Sequence, residues 1–335
     1  DAPRSQPFII SGSGTLGWDL AAVNLLEKDD DVLVLTTGYF GDSFAECIAM
    51  YGAHPTQVVA PVGSRPSESE IEIALKQKKY KAVTITHVDT STGILMDVEA
   101  VTKIVKRVSP DTLVILDGVC SVGSEEIHMD AWGIDYLLFA SQKGIGIPPG
   151  LSLSLASPRA MKTFASRTTP PAGFYTSWTK WLPVMKAYEA RTPAYFATPP
   201  TNLIYALHTS LKTITEGPVS LAQRFEKHRE ASQRVKKGIE NLGLEQLAQP
   251  DSRQNGVANG MTAVRYPQGF KASDILPKMA QRGVVFGAGL HKDAKDEYFR
   301  IGHMGVSVVD PARRDVDIIL QKLEEALAEA GYQKQ

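Results

Sequence analysis

The chain of 335 residues carries 36 Lys and Arg against 37 Asp and Glu, which gives a formal net charge of −1 at pH 7. This balance excludes the strongly basic field that steers nucleic-acid-binding proteins, and no apolar run approaches the ~20 residues of a membrane-spanning helix. The length is typical of two domains. The balanced charge and the short apolar runs lead us to expect an enzyme that acts on small molecules, with neither a nucleic acid nor a membrane as partner.

Short apolar, β-branched runs alternate with helical stretches over the first 155 residues or so. This alternation predicts an α/β fold with a doubly wound, mostly parallel sheet whose strands are joined by crossover helices. Helical spacing is clearest over residues 69–76 and 98–108. The predicted strands are residues 8–10, 32–35, 57–59, 82–86, 113–116, 136–139 and 152–155.

The second half of the chain begins with residues 157–201, whose Pro, Thr, Tyr and Trp content predicts long irregular loops. A helical pattern then breaks at Gly217-Pro218, which predicts a boundary between a large domain, 1–217, and a smaller C-terminal α+β domain, 218–335. We expect strands in this smaller domain at residues 262–265, 284–286 and 298–301. Its last helix should begin with Asp310 as cap and Pro311 at the first helical position.

A carboxylate and an amine follow two neighbouring predicted strands. Asp117 ends the run Leu-Val-Ile-Leu, and Lys143 follows the run that ends at Phe139. Neighbouring parallel strands bring such residues to the same carboxyl edge, where α/β enzymes bind their ligands. Pyridoxal phosphate needs this pair, because the amine forms a Schiff base with its aldehyde and the carboxylate keeps its ring nitrogen protonated. Taken alone, Lys143 also fits a solvated loop lysine.

A glycine-rich turn, Gly12-Ser-Gly-Thr-Leu-Gly17, follows the first predicted strand and opens a helix. The backbone amides and the dipole of a helix start attract a phosphate. The letters also satisfy the dinucleotide-binding pattern G-x-G-x-x-G, but that site needs an acidic residue after the second strand, and Leu35-Thr-Thr-Gly38 stands there. A monophosphate is therefore favoured, and a plain glycine-rich helix entry remains open.

Two further strand ends carry candidate cofactor contacts. Tyr39-Phe40 follows the second strand, so an aromatic ring could lie over a planar cofactor, although core packing explains a lone aromatic equally well. The segment 86–93 clusters hydroxyls that could bind a phenolic oxygen, and helix capping is the alternative explanation. The sequential order of these features is more telling than any one of them.

The motifs together resemble those of a known family. They are Ser13-Gly14-Thr15, His87-Val-Asp-Thr-Ser-Thr-Gly93, Asp117-Gly-Val-Cys-Ser121, Ser141-Gln142-Lys143 and Arg300-Ile-Gly302. They resemble the class V aminotransferases, which are pyridoxal-phosphate enzymes of fold type I. The similar branch is that of the alanine–glyoxylate and serine–pyruvate aminotransferases, and residues 12–19 and 195–200 resemble its fungal members.

The resemblance implies a role for each matching residue. Lys143 would bind the cofactor and carry the proton, Asp117 would pair with the ring nitrogen, and Arg300 would bind the substrate carboxylate. The remaining cofactor contacts that the resemblance implies are Phe40 and Val119 on the ring faces, Thr90 on the phenolic oxygen, and Ser13, Gly14, Thr15 and Gln142 on the phosphate. The family forms homodimers with shared active sites, so Tyr195 and Thr198 would reach the phosphate of the partner subunit.

The resemblance implies transfer of the amino group of L-alanine, or of L-serine, to glyoxylate, giving glycine and pyruvate by a ping-pong mechanism. Such a reaction serves glycine biosynthesis or glyoxylate detoxification. A rival in the same fold is a cysteine desulfurase-like lyase, which carries a His where Gln142 stands. The family also has an N-terminal segment with a Pro-Gly-Pro turn that does not precede Ser11 here, so a truncated, catalytically impaired form or a silent scaffold is the other alternative.

The two cysteines, Cys47 and Cys120, provide neither a disulfide framework nor a zinc-binding spacing, and His291 and His303 lie too far apart for a metal motif. We therefore expect no metal, and a reducing compartment. The last residues are not a peroxisomal signal, which favours the cytoplasm and leaves the mitochondrion and the peroxisome open.

Overall fold

A computed structural model describes residues 2–248 and 256–334 of the chain. Its strands are β1 (Gln6–Ser11), β2 (Asp31–Thr36), β3 (His54–Val59), β4 (Ala82–Thr86), β5 (Val88–Asp89), β6 (Ile94–Leu95), β7 (Leu113–Asp117), β8 (Tyr136–Ala140), β9 (Leu151–Ala156), β10 (Met261–Arg265), β11 (Gly287–Ala288) and β12 (Tyr298–Gly302). Its helices are α1 (Leu16–Leu25), α2 (Tyr39–Met50), α3 (Glu68–Gln77), α4 (Val98–Val108), α5 (Met129–Trp132), α6 (Pro158–Ala165), α7 (Trp178–Glu189), α8 (Thr201–Glu216), α9 (Leu221–Asn241), α10 (Ala272–Gln281), α11 (Val306–Val309) and α12 (Asp315–Glu329).

The central sheet has the strand order β1-β9-β8-β7-β4-β2-β3. Strand β9 is antiparallel to both of its neighbours, and the other neighbouring strands are parallel. The predicted α/β fold with a mostly parallel sheet is therefore confirmed. Within the described residues, no helix is long and apolar enough to cross a membrane.

Both faces of the central sheet are covered by helices, as its apolar strands require. In β2, Val32 and Val34 belong to the core beneath α1 and α2, whereas Leu33 and Leu35 belong to the core beneath α3 and α4. The same alternation recurs in β7. A strand with two buried faces reads as a continuous apolar run, which explains why these strands were visible in the sequence.

The second sheet, of order β10-β12-β11, packs with α9, α10 and α12 around a separate apolar core. The helical pattern breaks where the sequence predicts it, because α8 ends at Glu216 and Ser220 caps α9 in a capping box with Gln223. We propose this break as the boundary between the large and small domains.

The prediction of irregular loops over residues 157–201 was wrong in part. This stretch contains α6 and α7, each capped by a serine side chain, Ser157 and Ser177. Trp178 at the start of α7 is fully buried and stacks on Phe8 with ring centroids 4.7 Å apart. The aromatic residues of this stretch therefore include core residues, which the Pro-rich composition concealed.

Two predicted elements of the small domain also differ from the structure. Residues 284–286 are not a strand; Val285 is 84% exposed, and the edge strand β11 pairs Gly287 with Arg300 instead. The last helix begins at Asp315 rather than after Asp310, because the Asp310 carboxylate closes a turn by accepting from the amide of Ala312.

Candidate active site

A cavity of about 200 Å³ lies at the carboxyl edge of the central sheet. It brings together nine of the residues singled out in the sequence, namely Ser13, Gly14, Thr15, Phe40, Thr90, Asp117, Val119, Gln142 and Lys143. Trp18, Thr86, Val88 and Cys120 complete its lining. These residues follow several different strands of the central sheet, whose connections meet at this cavity. The individual roles of these residues stay predictions.

Asp117 is the last residue of β7 and is 3% exposed. Its Oδ1 accepts from the amide of Val119 at 2.9 Å, and its Oδ2 accepts from the indole Nε1 of Trp18 at 2.8 Å. Burial raises the pKa of Asp117 to about 6, while these two donors and the charge of Lys143 act in the opposite direction. Both oxygens keep a lone pair that a further donor in the cavity could use.

Trp18 is a site residue that the sequence analysis missed. Its indole stacks on Phe44 at 5.3 Å and meets Phe40 edge-on at 6.3 Å, so the direction of its N–H is fixed by packing. Its position in the first turn of α1, directly behind the glycine-rich turn, was the available signal.

Lys143 follows β8, the strand that pairs in parallel with β7. Among the described residues that line the cavity, it carries the only amine. Its Nζ makes no hydrogen bond or ion pair within the part of the chain that the structure describes. An amine without a partner, held beside a buried carboxylate, is available to react with an aldehyde.

The segment Ser13-Gly14-Thr15 leads into α1, and its carbonyls accept from the first three amides of that helix. The amides of Ser13, Gly14 and Thr15 themselves donate to no group among the described residues. A Cβ on Gly14 would lie 2.7 Å from Cγ2 of Val119, so only glycine lets these two segments approach so closely. The amides and the helix dipole suit a phosphate at this point.

Asp89 is a second buried carboxylate that the sequence analysis did not assign. Its Oδ1 accepts from the amide of Ser91 at 2.9 Å, and its Oδ2 is 3.3 Å from the amide of Gly41. Burial raises the pKa of Asp89, although these hydrogen bonds oppose the shift. Asp89 thereby fastens the start of α2, which carries Phe40, to the segment that carries Thr90.

Arg300 lies in the middle of β12, in the second sheet, and reaches the segment that carries Thr90. Its Nε donates to the carbonyl of Ala288 at 2.7 Å, and its Nη1 donates to the carbonyl of Thr90 at 3.2 Å. No carboxylate of the described residues forms an ion pair with it, and burial lowers its pKa. The remaining guanidinium donors can therefore bind a carboxylate from outside the protein.

Tyr195 and Thr198 do not line the cavity of their own chain. The Tyr195 ring is 74% exposed, and its hydroxyl lies 3.1 Å from that of Thr198. His303 and His291 make local contacts: His303 Nε2 lies 2.8 Å from the Thr262 hydroxyl, and His291 Nδ1 accepts from a nearby amide. Within the described residues, no group of three or more metal-binding side chains occurs.

The donor set of the cavity fits pyridoxal phosphate. An unpartnered amine, a buried carboxylate with free lone pairs and the free amides of Ser13-Gly14-Thr15 line one space of suitable size. With the doubly wound sheet, this arrangement defines a pyridoxal-phosphate-dependent enzyme of fold type I.

Comparisons with known proteins identify the family. The model of the aminotransferase class-V family matches residues 2–297. Alanine–glyoxylate aminotransferase 1 of Saccharomyces cerevisiae is 44% identical over 313 residues, which cover 91% of this chain and 80% of the yeast protein. L-aspartate–glyoxylate aminotransferase of Paracoccus denitrificans is 32% identical over 307 residues, 90% of this chain and 74% of that protein.

Among solved structures, alanine–glyoxylate aminotransferase from Nostoc sp. matches with a TM-score of 0.88 and 27% identity, over 98% of this chain and 82% of that one. The chain therefore belongs to the class V aminotransferase family, and it is an aminotransferase that uses pyridoxal phosphate. The resemblance seen in the sequence is confirmed.

Proposed function

We propose that this protein transfers the amino group of L-alanine to glyoxylate, giving pyruvate and glycine in two successive half-reactions. The observation that carries the proposal is the position of Arg300, which has no carboxylate partner among the described residues. It does not line the cavity itself, but its Nη1 donates to the carbonyl of Thr90, a residue that lines the same cavity as Lys143. L-alanine, glyoxylate, pyruvate and glycine each carry one carboxylate, which Arg300 binds, and the rest of each molecule is small. The yeast relative at 44% identity, an alanine–glyoxylate aminotransferase, supports the same substrates.

When bound, pyridoxal phosphate supplies a ring that accepts electrons and acidifies the Cα proton of the amino acid. Asp117 would keep the ring nitrogen protonated, because its two oxygens are oriented by Val119 and Trp18. Lys143 would take the proton from the substrate Cα and deliver it to the C4′ carbon of the cofactor. Ser13, Gly14, Thr15 and Gln142 would hold the phosphate.

We further propose a homodimer whose subunits complete each other's sites through Tyr195 and Thr198. Both residues are exposed and neither lines the cavity of its own chain, which supports this assignment. L-serine is proposed as a second donor, and glycine formation or glyoxylate removal in the cytoplasm as the physiological role.

The half-reactions test the proposal directly. L-alanine added without an acceptor should convert the absorbance band of the bound aldehyde cofactor to that of its amine form, and glyoxylate alone should reverse the change. L-serine and L-aspartate are compared as donors, because the Paracoccus relative is an L-aspartate–glyoxylate aminotransferase. A faster conversion with L-aspartate than with L-alanine would overturn the proposed donor, and a failure of glyoxylate to restore the band would overturn the acceptor.

Arg300→Lys should raise the KM for both L-alanine and glyoxylate by about 10- to 100-fold, because a lysine ammonium cannot donate two parallel hydrogen bonds to a carboxylate. The kcat should change far less, since the contact forms with substrate and transition state alike. Arg313→Lys is the matched control, because Arg313 pairs with Asp315 on the surface. An unchanged KM in the Arg300 variant would remove this residue from the substrate site.

A further inference from the structure

Arg224 is an arginine that the proposed reaction does not use. It lies in the first turn of α9 and is 6% exposed. Its Nε donates to the carbonyl of Gly123 at 2.8 Å, and its Nη2 donates to the carbonyl of Gly144 at 2.6 Å. Among the described residues no carboxylate pairs with it, and burial lowers its pKa. Burial of a cation without a counter-ion costs free energy. The question is therefore what its two hydrogen bonds to backbone carbonyls hold in place.

One of the carbonyls that Arg224 binds, that of Gly144, belongs to the residue directly after Lys143. We call residues 143–146 the lysine loop. Its three successive carbonyls are all bound: that of Lys143 by the amide of Gly146 at 2.9 Å, that of Gly144 by Arg224, and that of Ile145 by the Ser210 hydroxyl at 2.6 Å. Two of these three donors are side chains of α8 and α9, so these helices determine where the lysine loop lies.

His228, one turn further along α9, binds the turn that follows β12. Its Nδ1 donates to the carbonyl of Arg224 at 2.7 Å, so its unprotonated Nε2 accepts from the amide of Gly305 at 3.0 Å. Gly305 follows β12, the strand that carries Arg300, and has φ +69. A Cβ on Gly305 would lie 3.6 Å from the Gly144 carbonyl oxygen, so this turn packs directly on the lysine loop.

We propose that Arg224 and His228 are positioning residues that fix Lys143 relative to Arg300. They form what we call the α9 clamp, which joins the lysine loop to the turn after β12 through one turn of a single helix. The reacting amine and the guanidinium that holds the substrate carboxylate come from different domains, so their separation has to be set by a contact between domains. The inference rests on the proposed function for the role of Arg300, whereas the geometry of the clamp does not depend on the substrate.

Hydrogen exchange of the cofactor-free protein tests the clamp without any reaction. Arg224→Met should speed exchange at the Gly146 amide, and His228→Phe should speed it at the Gly305 amide, each by tenfold or more. His228→Gln should restore protection at Gly305, because its side-chain oxygen can take the place of Nε2 as acceptor. The control is Arg229→Met on the exposed face of the same helix, where Arg229 pairs with Glu226.

Kinetics of the loaded enzyme provide the second measurement. Arg224→Met and His228→Phe should each lower kcat/KM for L-alanine by about 10- to 100-fold, the double variant should lose less than the product of the two, and His228→Gln should recover to within about threefold of wild type. If Arg224→Met does not fold, Arg224→Lys replaces it, because lysine can reach one carbonyl but not both.

Two results would overturn the clamp. One is wild-type exchange at both amides together with wild-type kcat/KM. The other is exchange that rises uniformly over the small domain in step with a lower Tm, which is the signature of a purely structural role. If wild-type protein fails the alanine and glyoxylate half-reactions but exchange responds as expected, the proposed function fails and the clamp stands.

Discussion

Replacement of Lys143 by alanine is expected to abolish amino-group transfer, lowering kcat by about 10⁴-fold or more. Two functions disappear together, because the amine is both the covalent anchor of the cofactor and the base that moves the Cα proton. Among the described residues that line the cavity, no other amine is present to replace it. The decrease is measured as pyruvate formed from L-alanine and glyoxylate.

The Lys143→Ala protein should still fold and still capture pyridoxal phosphate, since Asp117 and the start of α1 remain. Its bound cofactor should lack the absorbance band of the lysine-linked form. A small amine added to the medium should restore a fraction of the proton transfer, because it can enter the space that the side chain leaves. Lys186→Ala is the control, since Lys186 is exposed and pairs with Glu189. Product formation at the wild-type rate would make the assignment of Lys143 wrong.

The neighbouring positions of Asp117 and Lys143 could be predicted from the sequence for a simple geometric reason. Parallel strands end at one edge of a sheet, so polar residues that follow neighbouring strands lie close together at that edge. The strands β7 and β8 are indeed neighbours, and the glycine-rich turn before α1 lies at the same edge. Motif order along the chain was therefore sufficient to bring Asp117, Lys143 and the glycine-rich turn to this edge, whereas Val119 and Gln142 came only from the family resemblance.

The residues that orient this pair were not predictable in the same way. Trp18 reaches Asp117 only because of the rotation of α1 and the stacking of its indole on Phe44. Arg224 binds backbone carbonyls, which every residue possesses, so its partner Gly144, 80 residues away, carries no matching signal in the sequence. Periodicity and spacing report which face is buried, and they do not report which polar atom a buried side chain meets.

Composition misled the prediction where apolar aromatic residues were mixed with proline. In the stretch 157–201, Pro158 stands at the start of α6 and Pro183 lies inside α7. A proline at the first helical position costs no hydrogen bond, so the first of these indicates a helix start rather than a loop. The capping serines Ser157 and Ser177 were the signals that could have identified both helices.

Asp117→Asn is expected to lower kcat/KM by about 10³-fold and to weaken the binding of pyridoxal phosphate. An amide of the same shape cannot hold a proton on the ring nitrogen by charge, so the ring loses most of its power to accept electrons. Its NH2 group would also face one of the two N–H donors that now bind the carboxylate. Trp18→Phe should cost less, about 10-fold, because it removes one of the two N–H donors to a carboxylate that remains in place. The measurement is kcat/KM together with the dissociation constant of the cofactor.

The dependence of cofactor binding on pH distinguishes the charge of Asp117 from its shape. Burial raises the pKa of this carboxyl to about 6 in the cofactor-free protein, so the ionised form is lost as the pH falls through that value. Wild-type affinity for pyridoxal phosphate should decline over this range, and the decline should be missing in Asp117→Asn, in which the side chain at position 117 does not titrate. In Trp18→Phe the decline should begin at higher pH, because the lost indole N–H stabilised the carboxylate and its removal raises the pKa further. The same decline in Asp117→Asn as in wild type would mean that another group sets the pH dependence, since the amide variant retains every other titratable residue of the cavity.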